Sequence, residues 1–253
     1  MGRILAVLTL FVACARGGGG QADGNSDTQK TSDAMIDGNG CAAQPCTILP
    51  QCGCLGATAC DLDTSDNMGT MCRSVVQPGQ ETSTCNTQDK CDKGYVCLGG
   101  AAFASCKKYC QADMDCGTPR GRCAIDISAG GMAIQGIPSV CSSNCNPLLL
   151  GAPAECPANY KCGLFTATHF SQPVKVTDCT PAGAGTQGAN CKSGNLGNES
   201  LCAAGYLCTT VDAGANFNCR RICNKTANTG CTTGTCIAFN PAHTVDVEYG
   251  VCN

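Results

Sequence analysis

Residues 91–110 read CDKGYVCLGGAAFASCKKYC, and residues 202–223 read CAAGYLCTTVDAGANFNCRRIC. Both stretches carry Gly-Tyr-x-Cys and end on two cysteines separated by three residues. The likeness continues downstream, so that a seven-cysteine frame from Cys91 to Cys141 recurs from Cys202 to Cys252. Self-similarity of this kind predicts an architecture of repeated modules.

The cysteines between and before these frames follow the same plan. A partial third copy runs from Cys141 to Cys179, and each full frame is preceded by one further cysteine, Cys85 or Cys191. A Pro-Gly connector at 78–80 and a Gly-rich connector at 183–188 separate three groups that each hold an even number of cysteines, as closed disulfide modules require. We therefore predict an N-terminal Cys-rich cap at 41–80, a repeat with an extra half-unit at 81–182 and a second repeat at 183–253.

Cysteine is the dominant structural residue of this chain. It occurs 27 times in 253 residues, whereas Trp is absent and there are five Tyr and six Phe. Large side chains are too sparse for one extensive apolar core, and a cysteine density near one in ten is typical of disulfide scaffolds. Such scaffolds form in oxidising compartments, so we predict export and no cysteine-bound metal or other cofactor.

The prediction of structural disulfides covers the cysteines of both repeats. Their connectivity cannot be deduced from the sequence, because eight cysteines alone allow 105 pairings. The predicted residues are Cys85, Cys91, Cys97, Cys106, Cys110, Cys116, Cys123, Cys141, Cys145, Cys156, Cys162, Cys179, Cys191, Cys202, Cys208, Cys219, Cys223, Cys231, Cys236 and Cys252.

Short β-hairpins are the expected secondary structure. β-Branched residues follow Gly or Pro turn signals at 136–141, 174–179 and 245–252, each just before the last cysteine of a unit. No sustained helical apolar period occurs. We predict a fold of small disulfide-rich modules made of short hairpins and loops, with little helix outside the signal peptide. The Cys-Gly-Cys sequence at 52–54 is expected to form turns of a different kind, as a cap.

The first 40 residues have the composition of an export signal and a tether. A nine-residue apolar run follows Arg3, and 1–14 ends like a bacterial lipobox in which Cys14 would be lipidated. Ala13-Cys14-Ala15 is an alternative site for ordinary signal peptidase. Under either interpretation Cys14 forms no disulfide. Residues 15–40 are Gly-rich and acidic, which predicts a flexible tether and favours the lipobox.

Charge and motif content argue against several functions. The net charge is −3 and the pI about 5.3, which is unlike a nucleic-acid-binding domain. The basic pairs at 107–108 and 220–221 are interpreted as solvated surface charge, and His169 and His243 as exposed loop residues. Hydrolase, P-loop and zinc-protease motifs are absent from the sequence. We predict that the protein is not an enzyme. Zinc binding by Cys-x3-Cys pairs remains a rival use of cysteine.

Residues 85–123 resemble the Dickkopf-type N-terminal cysteine-rich region. The resemblance lies in the closely spaced cysteines, the acidic steps Cys91-Asp92 and Asp115-Cys116, and Gly-Tyr-x-Cys, with a weaker echo at 191–236. The whole chain also resembles repeat-bearing, cysteine-rich lipoproteins of bacteria with large genomes. The Dickkopf resemblance implies an extracellular protein-binding module.

The expected function is that of an exported, membrane-tethered and non-enzymatic binding module. Its partners would be the lipid bilayer, through the N-terminal anchor, and a protein or glycan ligand. It would lie in the outer membrane or at the cell surface, or else be secreted. The alternative is a structural spacer of the envelope. Exposed Tyr, Phe and Arg clustered on one face would favour binding, and an even scatter would favour the spacer.

Intact mass measurement tests the scaffold prediction. If the 26 cysteines after Cys14 form 13 disulfides, the mature chain loses about 26 Da relative to the reduced form, since each bond removes two hydrogens. Alkylation under native conditions should then add no mass. Several alkylated thiols together with bound zinc would contradict the prediction.

Overall fold

A computed structural model describes residues 46–63, 69–100, 103–129, 132–151, 155–194, 196–210 and 216–253. The predicted signal peptide, Cys14 and the tether lie outside these residues.

The described residues form antiparallel hairpins and three single 3-10 turns, and no α-helix occurs among them. The predicted fold class is confirmed. The strands are β1 (Thr58–Leu62), β2 (Thr70–Ser74), β3 (Tyr95–Gly100), β4 (Phe103–Lys108), β5 (Cys123–Ile125), β6 (Ser128–Ala129), β7 (Met132–Ala133), β8 (Val140–Cys141), β9 (Tyr160–His169), β10 (Gln172–Pro181), β11 (Lys192–Ser193), β12 (Leu196–Gly197), β13 (Tyr206–Thr209), β14 (Asn218–Asn224), β15 (Cys236–Thr244) and β16 (Glu248–Cys252). The 3-10 turns span Gln88–Lys90, Asp113–Cys116 and Glu199–Leu201.

In the described residues, disulfides link six consecutive sets of four cysteines, called units, and the stretch of unit one contains Cys52 as a fifth cysteine. Within each set of four, the first cysteine bonds to the third and the second bonds to the fourth. Unit one pairs Cys46–Cys60 and Cys54–Cys72, unit two Cys85–Cys97 and Cys91–Cys106, unit three Cys110–Cys123 and Cys116–Cys141, unit four Cys145–Cys162 and Cys156–Cys179, unit five Cys191–Cys208 and Cys202–Cys219, and unit six Cys223–Cys236 and Cys231–Cys252. Cys52 is disulfide-bonded as well.

The third and fourth cysteines of each unit face each other across two paired strands. These cross-strand pairs are Cys60 with Cys72, Cys97 with Cys106, Cys123 with Cys141, Cys162 with Cys179, Cys208 with Cys219 and Cys236 with Cys252. Both partners bond back to the loop that precedes the hairpin. An isolated two-stranded hairpin is marginal in water, so each needs this support.

The repeating unit is therefore smaller than the seven-cysteine frame seen in the sequence. That frame begins at the second cysteine of unit two and ends with unit three. The three-residue spacings, as between Cys106 and Cys110, join the last cysteine of one unit to the first of the next. Residues 46–72, predicted to be part of a distinct N-terminal cap, hold unit one, which has the same two interlocked bonds and also contains a fifth disulfide-bonded cysteine, Cys52.

A side chain three residues before the second cysteine braces the hairpin in four units. Its carbonyl or carboxylate oxygen accepts the backbone N–H of the third cysteine at 2.7–2.9 Å. The residues are Gln51, Gln88, Asp113 and Glu199. Each of these side chains holds the loop against the first strand of the hairpin, which places the cysteines in position to form both disulfides.

Buried apolar groups divide into two kinds in the described part of the chain. Four clusters have only cysteines as their buried members, one each for units three to six. Two further clusters contain large side chains and lie between units. One gathers Val96, Tyr109 and Val140 against unit one, and the other gathers Leu164, Ile222 and Tyr249. Disulfides therefore fill units three to six, and aliphatic and aromatic side chains fill the joints.

A buried Arg73 joins units one and two. Its Nε donates to Asp61 Oδ2 at 2.5 Å, and its guanidinium also donates to the carbonyls of Cys91 and Tyr95 at 2.8 and 2.9 Å. The Tyr109 hydroxyl donates to Asp61 Oδ1 at 2.6 Å. The charges of both side chains are thus satisfied within a joint that excludes water.

Ion pairs connect other units as well. Lys107 of unit two pairs with Asp178 of unit four, and Lys161 of unit four pairs with Glu199 of unit five at 2.6 Å. Units five and six share one sheet of order β13–β14–β16–β15. The interpretation of 107–108 as solvated charge was wrong for Lys107, which is buried against Ser143 and Asp178 because it lies at a joint. Arg220, of the second pair, is half-buried.

A third unit-to-unit ion pair lies at the C-terminal end. Arg120 of unit three pairs with Asp246 of unit six at 2.9 Å, and its Nε donates to the Tyr249 hydroxyl at 3.2 Å. Units that are distant in sequence are therefore held together by specific polar contacts.

Replacing Asp61 with Ala should destabilise the protein by about 3 kcal/mol, because Arg73 would keep a buried charge without its partner. Guanidinium-induced unfolding with disulfides intact measures the change. Glu155→Ala, at an exposed acid, is the matched control and should change stability by less than about 0.5 kcal/mol. Equal effects of the two substitutions would contradict the role given to this joint.

Candidate functional site

All twenty cysteines of the predicted disulfide set are paired in the structure. Groups of three sulfurs lie within 4.8 Å of one another in units one to five, because the two disulfides of a unit are neighbours. Zinc binds thiolates, whereas these sulfurs are bonded to each other. The Cys-x3-Cys pairs that suggested metal ligands are junctions between disulfide units.

His243 is buried, so the expectation of an exposed loop residue was wrong for it. It lies in β15, 6% exposed, with Nε2 3.3 Å from the Val176 carbonyl and its ring near those of Phe239 and Tyr249. Burial, reinforced by the positive charge of Lys175, lowers the pKa of His243 to about 4. This neutral imidazole belongs to the joint between units four and six.

His169 lies at the end of β9 and not in an open loop. Its side chain is 22% exposed and is held by a residue of unit three. Its Nδ1 is 2.8 Å from Asp126 Oδ1. Asp126 also accepts hydrogen bonds from the Ser139 hydroxyl at 2.8 Å and from the backbone N–H of Phe170 at 3.1 Å. One carboxylate therefore fixes the end of the hairpin of unit four.

The turn between β9 and β10 has an unusual backbone. Gln172 pairs with His169, which leaves Phe170 and Ser171 as a two-residue turn with φ of 45° and 64°. Turns of this kind favour Asn-Gly, because the left-handed conformation costs a side-chain-bearing residue about 1–2 kcal/mol. Strained residues of this type concentrate at binding sites, where neighbouring contacts hold them in place.

Phe170 is the candidate binding residue. Its side chain is 79% exposed, and its ring centroid is 4.1 Å from that of His169. The other aromatic residues with described burial, five Tyr and Phe165, Phe217 and Phe239, are buried or half-buried. An exposed aromatic side chain on a backbone that a hydrogen bond holds in place is typical of a binding anchor. We define the tip site as Asp126, Ser139, His169, Phe170 and Ser171.

The proton positions in the tip site follow from its hydrogen bonds. Burial disfavours the ionised Asp126 carboxyl, but the bonds from Ser139, His169 and the Phe170 N–H outweigh it, so its pKa lies below its ordinary value. An ionised carboxylate can only accept, so His169 carries its proton on Nδ1. In the neutral ring Nε2 then has a free lone pair, and the described residues provide it with no partner.

Ser139, His169 and Asp126 do not form a hydrolase triad. The serine oxygen lies 3.5 Å from Nδ1, the nitrogen that Asp126 already occupies, and it donates to that same carboxylate. A triad places serine on the opposite nitrogen.

Lys107 and Ser143 form another contact that could suggest catalysis, that of a lysine with a serine. They are 7% and 3% exposed, so a substrate cannot reach them.

An open depression of about 760 Å³ lies beside unit two. Its lining has one charged side chain, Lys90, whose Nζ donates to Gln77 at 3.1 Å. The nine lining residues include no aromatic group, so the depression lacks the anchors that small-molecule sites use.

Of the tip-site residues, the sequence indicates only His169. Phe170-Ser171 carries none of the usual turn signals, and Asp126 lies 44 residues away from Phe170 in the chain. The expectation of hairpins at 174–179 was the available signal, since it placed a turn at Pro173, close to the actual one.

No family model, curated protein or solved structure matches this chain. In the part that the structure describes, no helix is long and apolar enough to cross a membrane. The disulfides themselves indicate an oxidising environment, extracellular or otherwise exported.

His243 should make stability depend on pH. The folded state keeps it neutral to about pH 4, whereas the unfolded chain takes up its proton near pH 6.5. Stability is therefore lost as pH falls from about 6.5 to 4, by at most about 3 kcal/mol. Denaturation at several pH values should show a shallower dependence for His243→Gln than for the wild type. Parallel profiles would contradict the assignment.

Asp126→Ala should release the turn. A hydrogen bond to a charged acceptor contributes about 1.5–3 kcal/mol, so the Phe170 amide should exchange with solvent at least about tenfold faster. Hydrogen exchange followed by NMR gives this rate. Glu155→Ala should leave it unchanged, and an unaltered rate in Asp126→Ala would rule out the carboxylate as the restraint.

Proposed function

We propose that this protein is an exported, non-enzymatic binding module that contacts a partner protein through the tip site. The observation that carries the proposal is Phe170, exposed on a strained turn and held there by Asp126. Interfaces draw most of their affinity from a few such anchors, and a preordered anchor loses little entropy on binding.

The hairpin that carries the tip site is held at both of its ends. The hairpin is fixed at its base by Cys145–Cys162 and Cys156–Cys179 and at its tip by unit three. Ser139, His169 and Asp126 lack the arrangement of a triad, and the Lys107–Ser143 contact is buried, which favours binding over chemistry. The resemblance of 85–123 to a Dickkopf-type region is consistent with an extracellular binding role.

Photo-crosslinking in the producing cells tests the proposal. A photoreactive phenylalanine analogue replaces Phe170 in the full chain, and the control carries it at Leu196, an apolar residue that is 71% exposed on another hairpin. We expect a discrete protein adduct from position 170 that excess wild-type protein suppresses and excess Phe170→Ala does not. Equal labelling from both positions, or none from 170, would refute binding through this tip.

A spacer is the second candidate function, and one observation favours it. The arginines and tyrosines that could line an interface are instead used at joints, as Arg73, Arg120 and Tyr109 are. If position 170 yields no adduct, a rigid spacer without a specific ligand becomes the better account.

Attachment to a membrane through Cys14 is a further part of the proposal, resting on the sequence of residues 1–14. Mass spectrometry of the N-terminal peptide from the native protein separates the two processing routes. A lipid-sized mass on Cys14 supports an outer-membrane or cell-surface lipoprotein. A chain that begins after residue 15 would show a secreted protein.

A further inference from the structure

Three electron-rich groups meet at the end of the unit four hairpin. The Phe170 ring offers a π face, the neutral form of His169 offers the lone pair of Nε2, and Asp126 provides a carboxylate behind them. The two nitrogens of an imidazole lie on different edges of the ring, so Nε2 is directed away from the carboxylate that holds Nδ1. A ligand at the tip therefore meets a hydrogen-bond acceptor beside an aromatic face, with the Asp126 carboxylate behind them.

We infer that the tip site binds an arginine side chain of the partner protein. This inference rests on the proposed function and specifies the chemistry of the partner. A guanidinium can stack on an aromatic face while its N–H groups donate to an acceptor at the edge, which matches Phe170 beside His169 Nε2.

Other ligand groups fit less well. An aliphatic side chain would cover the Phe170 ring but leave Nε2 without a donor. An ammonium group can donate to Nε2, but it cannot stack as a plane on the ring. An acidic group would meet the Asp126 carboxylate and the Nε2 lone pair, and both repel it.

The nearest described cation of the hairpin does not compete for the site. Lys175 lies three residue pairs from the turn, about 10 Å along the strand, and its Nζ donates to Thr166 at 2.8 Å. The His169 ring lies against Phe170 at a tilt of 50°, and Phe170 is still 79% exposed. The carboxylate therefore acts on a ligand without a neighbouring lysine to neutralise it.

NMR of the histidine side chains tests the inference on the disulfide-bonded full chain. The sequence has two histidines, so His169 reports on the site and the buried His243 serves as an internal control. The probe is N-acetyl-arginine amide. One stacking contact and one charge-assisted hydrogen bond predict a saturable shift of the His169 ring resonances, with a dissociation constant of about 10 mM. His243 should not shift.

Matched variants and probes decide between the outcomes. Phe170→Ala should weaken the response at least about fivefold, whereas Leu196→Ala should leave it unchanged. N-acetyl-lysine amide should bind more weakly than the arginine probe. An equal response to N-acetyl-leucine amide, or none to the arginine probe, overturns the arginine inference. If the adduct at position 170 still forms, the proposed binding function survives that result, and without the adduct both fail.

Discussion

Two cysteines that face each other across a hairpin, and bond back to the preceding loop, are the constraint on which this structure depends. The four cysteines interlock, because the first-to-third bond and the second-to-fourth bond enclose overlapping segments. A disulfide of this loop length contributes about 3 kcal/mol by restricting the unfolded chain, and each unit has two. Strand pairs that would be marginal alone are thereby held, and the aliphatic and aromatic residues are left for the joints.

The joints follow from that division. A unit whose interior is sulfur has little apolar surface with which to pack on its neighbours. Buried ion pairs with complete hydrogen bonding, such as Asp61 with Arg73, supply orientation there, and they are costly to disrupt by removal of one partner. The hairpin of unit four gains from this arrangement at both ends, since Lys107 pairs with Asp178 near its base and Asp126 holds its turn.

Much of the architecture could be predicted from cysteine spacing. The hairpins before Cys141, Cys179 and Cys252 and the scarcity of helix followed from turn signals and composition. The size of the unit could not be predicted from the sequence. The Cys-x3-Cys spacing suggests two cysteines of the same module, whereas in the structure it joins the last cysteine of one unit to the first of the next. The predictions for Lys107 and His243 were wrong for one reason: both side chains contact residues of another unit that are far away in the chain, Ser143 and Asp178 for Lys107 and Val176 for His243. The Phe170 turn likewise depends on Asp126, which no local pattern indicates.

Disulfide mapping tests the interlocked unit most directly. The intact protein would be digested without reduction at low pH, which prevents exchange, and the linked peptides identified by mass spectrometry. Unit four gives the most informative test, because its long hairpin carries the tip site. We expect the links Cys145–Cys162 and Cys156–Cys179. Links between Cys145 and Cys156 and between Cys162 and Cys179 would contradict it.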